Sequence, residues 1–320
     1  MPVGASGASY EAAGVSLAKA EEIVERLRDA VASTQTAAAP GPFGAFAGLY
    51  ALDERRLLAA STDGVGTKLI LLRESGKLRW AGIDVVAHCI NDVLTTGAEP
   101  LFFLDYVAAD RIDLEQVVEL VEGAADACRD AGCVLLGGET AELPDVYAPG
   151  ELDFAGTCIG LVERERVIDG PSQCKPGDVV IGLPSNGLHA NGFTLIRRLL
   201  GADPYDPELL LPPTRCYLAD VRTLRDRATV HALAHITGGG IPGNLARVLP
   251  AGVGARIETG SWQRGAVYEW LTERGVAEEE QRRVFNLGIG YCAIVPAGDA
   301  GPDDLVIGRL ERSLEGVVFV

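Results

Sequence analysis

The stretch that decides the fold runs from Gly82 to Ala109, GIDVVAHCINDVLTTGAEPLFFLDYVAA. Ile83, Val86, Ile90 and Val93 recur at the spacing of one helical face, which predicts a helix over Trp80–Gly97. EPLFFLDYVAA then reads as a strand. Working outward, LLAAST (57–62) is a strand running into DGVGTK, preceded by a loop rich in Gly, Ala and Pro (37–50). Before that loop, Leu17, Ala20, Val24, Leu27 and Val31 mark a helix capped by Ser16. In the other direction, Asp113 caps a helix with Leu114, Val117, Val121, Ala125 and Cys128 as its stripe, and strands follow at CVLLGGE (133–139) and DFAGTCIGLVE (153–163). The charged, Pro- and Gly-bearing segment 164–178 breaks the pattern. Beyond it come a strand at DVVIGLP, a helix opening at FTLIRRLL, the segment HALAHI, the run TGGGIPGN, a helix at LARVLP, and strands at VFNLGIGYCAIVP, LVIGRLE and GVVFV. The expectation is a mixed α/β (α+β) chain of two domains, residues 1–168 and 169–320, with no solenoid repeat.

Composition narrows the class. The chain has 320 residues, enough for two cores, and no stretch approaches the ~20 apolar residues of a membrane span. Its start, MPVGASGASYEAAGV, lacks the basic and apolar regions of a secretory signal, so a cytoplasmic protein is expected. The seven cysteines are scattered without a CxxC pair, as expected for reduced, buried thiols. A net charge of −17, from 45 acidic and 28 basic residues, argues against a general nucleic-acid binder. It leaves room for a phosphorylated small molecule, because helix N-termini and single lysines bind phosphate on acidic proteins.

Four segments carry candidate chemistry. In STDGVGTK, Asp63 stands beside Gly64, Gly66, Thr67 and Lys68, a carboxylate next to flexible amides and a cation, suited to a metal-bound phosphate. A strand-ending turn explains the same residues equally well. Neither a GxxxxGK[ST] loop nor a GxGxxG loop after a strand occurs. On the decisive helix, Asp84, His88, Asn91 and Thr95 share a face with Asp92 beside it. Surface helices usually show Lys and Glu there, so short oxygen ligands favour metal or phosphate contact by Asn91 and Asp92, with His88 a bystander. In LLGGETAEL, Glu139 follows two glycines at a strand end and is a natural oxygen donor. Asp63, Asp92 and Glu139 are therefore expected to converge on Mg²⁺, which offsets their mutual repulsion. In PSNGLHANGF, Ser185 and Asn191 could bind an anion and His189 could move a proton, while Thr237, Gly238 and Gly239 of the TGGG run offer a second phosphate cradle.

Together, DGVGTK, GIDVVAHCINDVLTTGAEPLFFLDY, GGETAELP, SNGLHANGF, HITGGG and FNLGIG resemble, in order and spacing, the phosphoribosylformylglycinamidine cyclo-ligase family, from about Tyr10 to Val295. The resemblance implies a Mg-ATP-dependent ligase of de novo purine synthesis that closes an imidazole ring on formylglycinamidine ribonucleotide and releases ADP and phosphate. It implies a homodimer whose N-terminal sheets form a shared barrel, followed by an α/β domain with helices over one sheet. ATP and metal are expected by Asp63, Gly64, Gly66, Thr67, Lys68, Asn91, Asp92 and Glu139, with Lys68 and Asp92 in catalysis. The substrate's ribose phosphate is expected by Ser185, Asn191, Thr237, Gly238 and Gly239. His189 or a carboxylate would take the ring-closure proton. The segment YEAAGVS differs from the family's YKDAGVD at Glu11, Ala12 and Ser16, so it lacks the Lys and Asp of the segment that the resemblance implies covers the nucleotide. Selenophosphate synthetase, thiamine-monophosphate kinase and a hydrogenase-maturation protein share this logic; SNGLHANGF, FNLGIG and the lack of a reactive terminal Cys speak against them. A catalytically silent nucleotide-binding homologue is the remaining alternative.

Overall fold

The computed structural model describes residues 8–320. Its first half is built on a five-stranded sheet of order β1-β2-β5-β3-β4, with β1 at Gly48–Ala51, β2 at Arg56–Gly64, β3 at Glu99–Ala109, β4 at Val134–Glu142 and β5 at Leu152–Glu163. All pairings are antiparallel except β3 with β4. Helices α1 (Leu17–Ala32), α2 (Lys68–Glu74), α3 (Leu78–Leu94) and α4 (Leu114–Ala131) accompany it. As expected, Ser16 and Asp113 accept backbone hydrogen bonds at the starts of α1 and α4. Gly82 and Gly123 let α3 and α4 cross closely, since a Cβ at either would collide with the other helix's backbone. The apolar stripe of α1 differs from expectation: Val24 and Leu27 are 41% and 48% exposed.

α3 lies on one face of this sheet, against Leu57, Ala59, Phe103, Phe154 and Cys158. The other face is open, and β3 and β4 show Leu104, Tyr106 and Leu136 on it. Because successive strand residues alternate faces, the same strands read as half-buried on one side only.

The second half is a six-stranded sheet of order β11-β8-β10-β6-β9-β7. α5 (Gly170–Gln173) precedes β6 (Val179–Pro184); α6 (Phe193–Leu200), α7 (Pro207–Leu210) and α8 (Leu218–Arg227) lead to β7 (Ala232–His235). Then follow α9 (Gly240–Ala246), β8 (Val253–Ile257), α10 (Ala266–Glu273), α11 (Glu278–Val284), β9 (Ile289–Val295), β10 (Val306–Arg312) and β11 (Val317–Phe319). The helix expected at Leu245 already begins at Gly240, while β1, β8, α8, α10 and α11 were not expected from the apolar pattern. One face of the sheet (Val180, Ala234, Cys292, Ile294) packs with α9 in a core of its own. The other (Ile181, Leu233, Tyr291, Ala293) belongs to a core continuous with the first sheet's helices. Buried on both faces, β9 is apolar along nearly its whole length, as such strands must be. Six of the seven cysteines are buried and all are free.

Candidate active site

The polar strip of α3 faces inward, and the segment after α7 runs across it. Lys68, at the start of α2, is fully buried with Asp84, Nζ to Oδ2 2.8 Å, and also donates to the carbonyl of Pro212 at 2.9 Å. Asp84 Oδ1 accepts both the Thr214 amide and hydroxyl at 2.7 Å. Burial pushes the Lys68 amine down, opposed by the neighbouring carboxylate. Two helical turns further, Asn91 donates to the Arg215 carbonyl and accepts from the Tyr217 amide, both at 2.9 Å. Tyr291 of β9 donates to the Asn91 carbonyl at 2.9 Å. These contacts fasten the second half to the first: where phosphate contact was expected, the Lys68 ammonium is held by the Asp84 carboxylate and the Pro212 carbonyl, and the Asn91 amide by the backbone of Arg215 and Tyr217.

The rest of the strip meets the ends of β2 and β7. Asp63 Oδ2 lies 3.2 Å from His88 Nδ1, and Asp92 Oδ1 lies 2.9 Å from His235 Nδ1. The second Asp92 oxygen accepts from the Ser61 hydroxyl at 2.9 Å. The two imidazoles meet edge to face, ring centres 5.2 Å apart. Both Nε2 atoms are buried without a hydrogen-bond partner. Since buried polar atoms are nearly always satisfied, a pair of orphaned ring nitrogens marks a place where a ligand or water completes the set. Burial works to raise the Asp63 carboxyl, yet the hydrogen bond and charge of His88 prevail and hold it below its usual value. His88 is driven up by Asp63 against the effect of burial, whereas His235 is held below its usual value because burial outweighs Asp92. One dyad is thus biased toward an ion pair and the other toward a neutral imidazole. His88, expected as a bystander, is hydrogen-bonded to Asp63. His235 was missed altogether, although an imidazole closing the buried strand ALAH just before TGGG was its signal.

The expected three-carboxylate metal site is not assembled within one chain. Glu139 pairs with Tyr106, Tyr106 with Ala155, and Ala155 with Gly64. That places Glu139 three strands from the end of β2, ~14 Å at the usual strand spacing. It also puts Glu139 on the face opposite Asp63, which shares its row with Gly156, Asp105 and Gly138. Glu139 is exposed and its nearest hydrogen bond is to the Thr140 amide. Among the described residues no three His, Cys, Asp or Glu side chains are grouped to hold a metal ion.

The remaining expectations separate similarly. Gly64 donates its amide to the Asp63 side chain, and the Thr67 hydroxyl lies 3.0 Å from that of Thr194. Gly66 has φ of 66°, turning the chain into α2. His189 is fully buried, with φ of 60° and neither ring nitrogen bonded, and burial pushes its basicity well below that of a free imidazole. It is a core residue, contrary to the expectation for a His between Gly and Asn, and Gly290 is required beside it, where a Cβ would collide with His189 and Tyr217. Ser185 donates to Gly187 and Asn286, closing its own loop. Asn191 and the TGGG run do come together: Asn191 Oδ1 accepts the Gly238 amide at 3.0 Å, and its buried Nδ2 has no partner. Asn244 secures the run through Thr237, Gly238 and Gly240, while Gly239 sits at φ of 96°.

Two family models match the chain: AIR synthase related protein, N-terminal domain, over residues 44–162, and AIR synthase related protein, C-terminal domain, over residues 175–301. A phosphoribosylformylglycinamidine cyclo-ligase of Synechococcus sp. strain CC9311 is 44% identical, covering 96% of each chain. Another from Sorangium cellulosum is 47% identical over 91% of this chain and 89% of its own. Among solved structures, thiamine monophosphate kinase from Aquifex aeolicus superposes with a TM-score of 0.66 at 17% identity, over 96% of this chain and 100% of that one. AaThiL complexed with AMPPCP and TMP gives 0.67 at 16% identity, covering 95% of each. The structural matches establish the shared two-sheet fold, and the sequence matches go further. The chain belongs to the phosphoribosylformylglycinamidine cyclo-ligase family.

Proposed function

We infer that this chain is an ATP-dependent cyclo-ligase that converts formylglycinamidine ribonucleotide to 5-aminoimidazole ribonucleotide, with release of ADP and phosphate, in de novo purine biosynthesis. The observation that carries the reading is identity of 44% spread over 96% of both chains, from a relative bearing that name. The fold neighbour complexed with AMPPCP supports ATP as the co-substrate.

In this mechanism the formyl-amide oxygen attacks the γ-phosphate, which turns a poor leaving group into phosphate. An amidine nitrogen of the same molecule then attacks that carbon, closes the ring and expels phosphate. Two ends held in one seam react as if at very high concentration. The nitrogen must lose a proton, and we assign its removal to His235. Asp92 fixes the Nδ1–H tautomer, leaving Nε2 as a partnerless acceptor on an imidazole that burial keeps neutral. His88, paired with Asp63, supplies positive charge beside it. The Asn191–Gly238 junction, with Asn191 Nδ2 unpaired, suits the ribose phosphate. Mg²⁺ would be bound together with the triphosphate, as part of the nucleotide substrate. Residues 1–168 would serve ATP and dimer formation, and residues 169–320 the ribonucleotide.

We propose a homodimer, supported by the open face of the first sheet, where Leu104, Tyr106 and Leu136 are 37%, 39% and 61% exposed. Glu139 on that face would then serve the shared interface. No helix among the described residues is long and apolar enough to cross a membrane, in keeping with work in the cytoplasm. The test is a coupled ADP-release assay with formylglycinamidine ribonucleotide, following the aminoimidazole product. One ADP per ring closed is expected; ADP release with thiamine monophosphate instead, or with no acceptor at all, contradicts the assignment.

A further inference from the structure

A cavity of about 380 Å³ lies where the linker between β5 and α5 meets the end of α8 and the approach to β7. It shares no residue with the two dyads or with the Asn191–Gly238 junction. The volume is more than ten times the ~30 Å³ that one water molecule occupies in the liquid, which leaves room for a phosphate group with a small body attached.

Val167, Ile168 and Val230 give the cavity apolar wall, while Arg166 on the linker and Arg225 on α8 give it two guanidiniums. These charges are not cancelled nearby. Glu99, which draws on Arg225, is itself held by Arg222 at 2.6 Å, and Asp178 is taken by His231 of the wall at 2.7 Å. Glu165, the acidic residue of the wall, is exposed. Among the described residues no carboxylate lies within salt-bridge distance of Arg166 or Arg225. Burial holds the half-buried Arg225 below its usual basicity, Glu99 opposes this, and Arg166 adds to it. Two neighbouring guanidiniums without a counter-charge are the basic mirror of a carboxylate cluster that needs a cation. Their forked donors match the oxygens of a phosphate dianion.

The end of α3 shapes this cavity in advance. Arg225 Nη1 donates to the Gly97 carbonyl at 2.7 Å, and the Ile168 amide donates to the Thr96 carbonyl at 3.0 Å. Gly97 has φ of 81°, and a Cβ there would lie 3.0 Å from the Arg166 carbonyl. Arg225 is thus oriented by one bond and keeps its other N–H groups for a ligand.

We propose that this cavity binds the phosphate group of a small phosphorylated metabolite between Arg166 and Arg225, bridging the linker and α8. Inorganic phosphate shares that chemistry; the body of a phosphomonoester would rest on Val167, Ile168 and Val230. The site is separate from the reaction centre and independent of the ring-closing reading.

In phosphate-free buffer the full-length protein is treated with phenylglyoxal, which adds to accessible guanidiniums, and labelling of each arginine is followed by mass spectrometry. Ribose 5-phosphate, inorganic phosphate and plain ribose are the probes. Saturating ribose 5-phosphate is expected to slow labelling of Arg166 at least about tenfold, while exposed Arg111 reacts at an unchanged rate. Equal protection by inorganic phosphate at the same concentration identifies the free ion as the ligand. Protection by it only at about tenfold higher concentration identifies the phosphomonoester. In Arg166→Ala, an exposed position, protection of Arg225 should be lost while the melting temperature stays near wild type. Labelling of Arg166 unaffected by either phosphate compound overturns the proposal. So does equal protection by plain ribose, or protection of Arg225 that survives in Arg166→Ala.

Discussion

Lys68 and Asp84 show how a single side chain can mislead when read from sequence. A lysine after DGVG suggests a phosphate ligand, but its ammonium is buried against a carboxylate and a carbonyl. Breaking such a pair leaves one charge without compensation, so Lys68→Ala or Asp84→Ala should cost about 3–5 kcal/mol in urea unfolding. Replacing both by apolar residues of similar volume should restore much of that. If Lys68→Ala keeps wild-type stability, the pair is not a fastening. At the dyads the larger effect is on turnover. His235→Ala empties a fully buried position and unpairs Asp92, so it should lower stability somewhat, while turnover of the folded protein falls about 10²–10⁴-fold, the usual share of general acid–base catalysis, as read by steady-state kinetics. The carboxylates Asp63 and Asp92 were legible because short acids at element ends are unusual. Their imidazole partners were not, since His88 and His235 are 147 positions apart and meet only through tertiary packing (235 − 88).

Helix α3 is the element on which site and fold depend together. Its period, its ends within two or three residues and the strand after it followed from the spacing of apolar residues. Which way its polar strip faced did not, because amphipathic periodicity gives a polar side but not what covers it. Here the cover is the segment 212–217 of the second half, brought in by contacts that no local pattern encodes. Asn91→Leu should therefore strand the Tyr217 amide and the Arg215 carbonyl, at a cost of about 1–3 kcal/mol for each buried group. Hydrogen exchange would show faster opening of 212–217 than of β3. Equal protection in variant and wild type would mean the clamp is not cooperative with the segment. The short strand β8 and the polar helix α8 escaped the sequence reading for a plainer reason: four or five apolar residues, or a helix as charged as LADVRTLRDR, carry too little periodicity.

At the scale of the whole molecule, three buried histidines set the response to pH. His189 and His235 are held below the 6.5 of a free imidazole, so unfolding lets them take protons that the folded chain refuses. His88 is held above 6.5, so its contribution is full below that pH and fades as pH rises through its folded value. Below pH 6.5 the unfolded chain binds more protons, and stability should fall, by up to about 1.4 kcal/mol per pH unit for each histidine involved. Above it, loss of the His88 charge should lower stability again. His189→Leu should flatten the acid limb by about one proton in urea titrations across pH; an unaltered slope would contradict the burial of a neutral imidazole there. The open sheet makes a second claim at this scale: Leu104→Arg should shift the protein to monomer in light scattering if that face is the dimer contact.

The Asp92–His235 dyad is the proposed centre of ring closure. The decisive measurement is a single-turnover experiment with Asp92→Asn, comparing ring closure with binding of ATP and formylglycinamidine ribonucleotide. If the dyad takes the proton, both substrates should bind near wild-type affinity, the melting temperature should stay close to wild type, and ring closure should slow at least about a hundredfold. Ring closure at the wild-type rate in that folded, substrate-bound variant would contradict it.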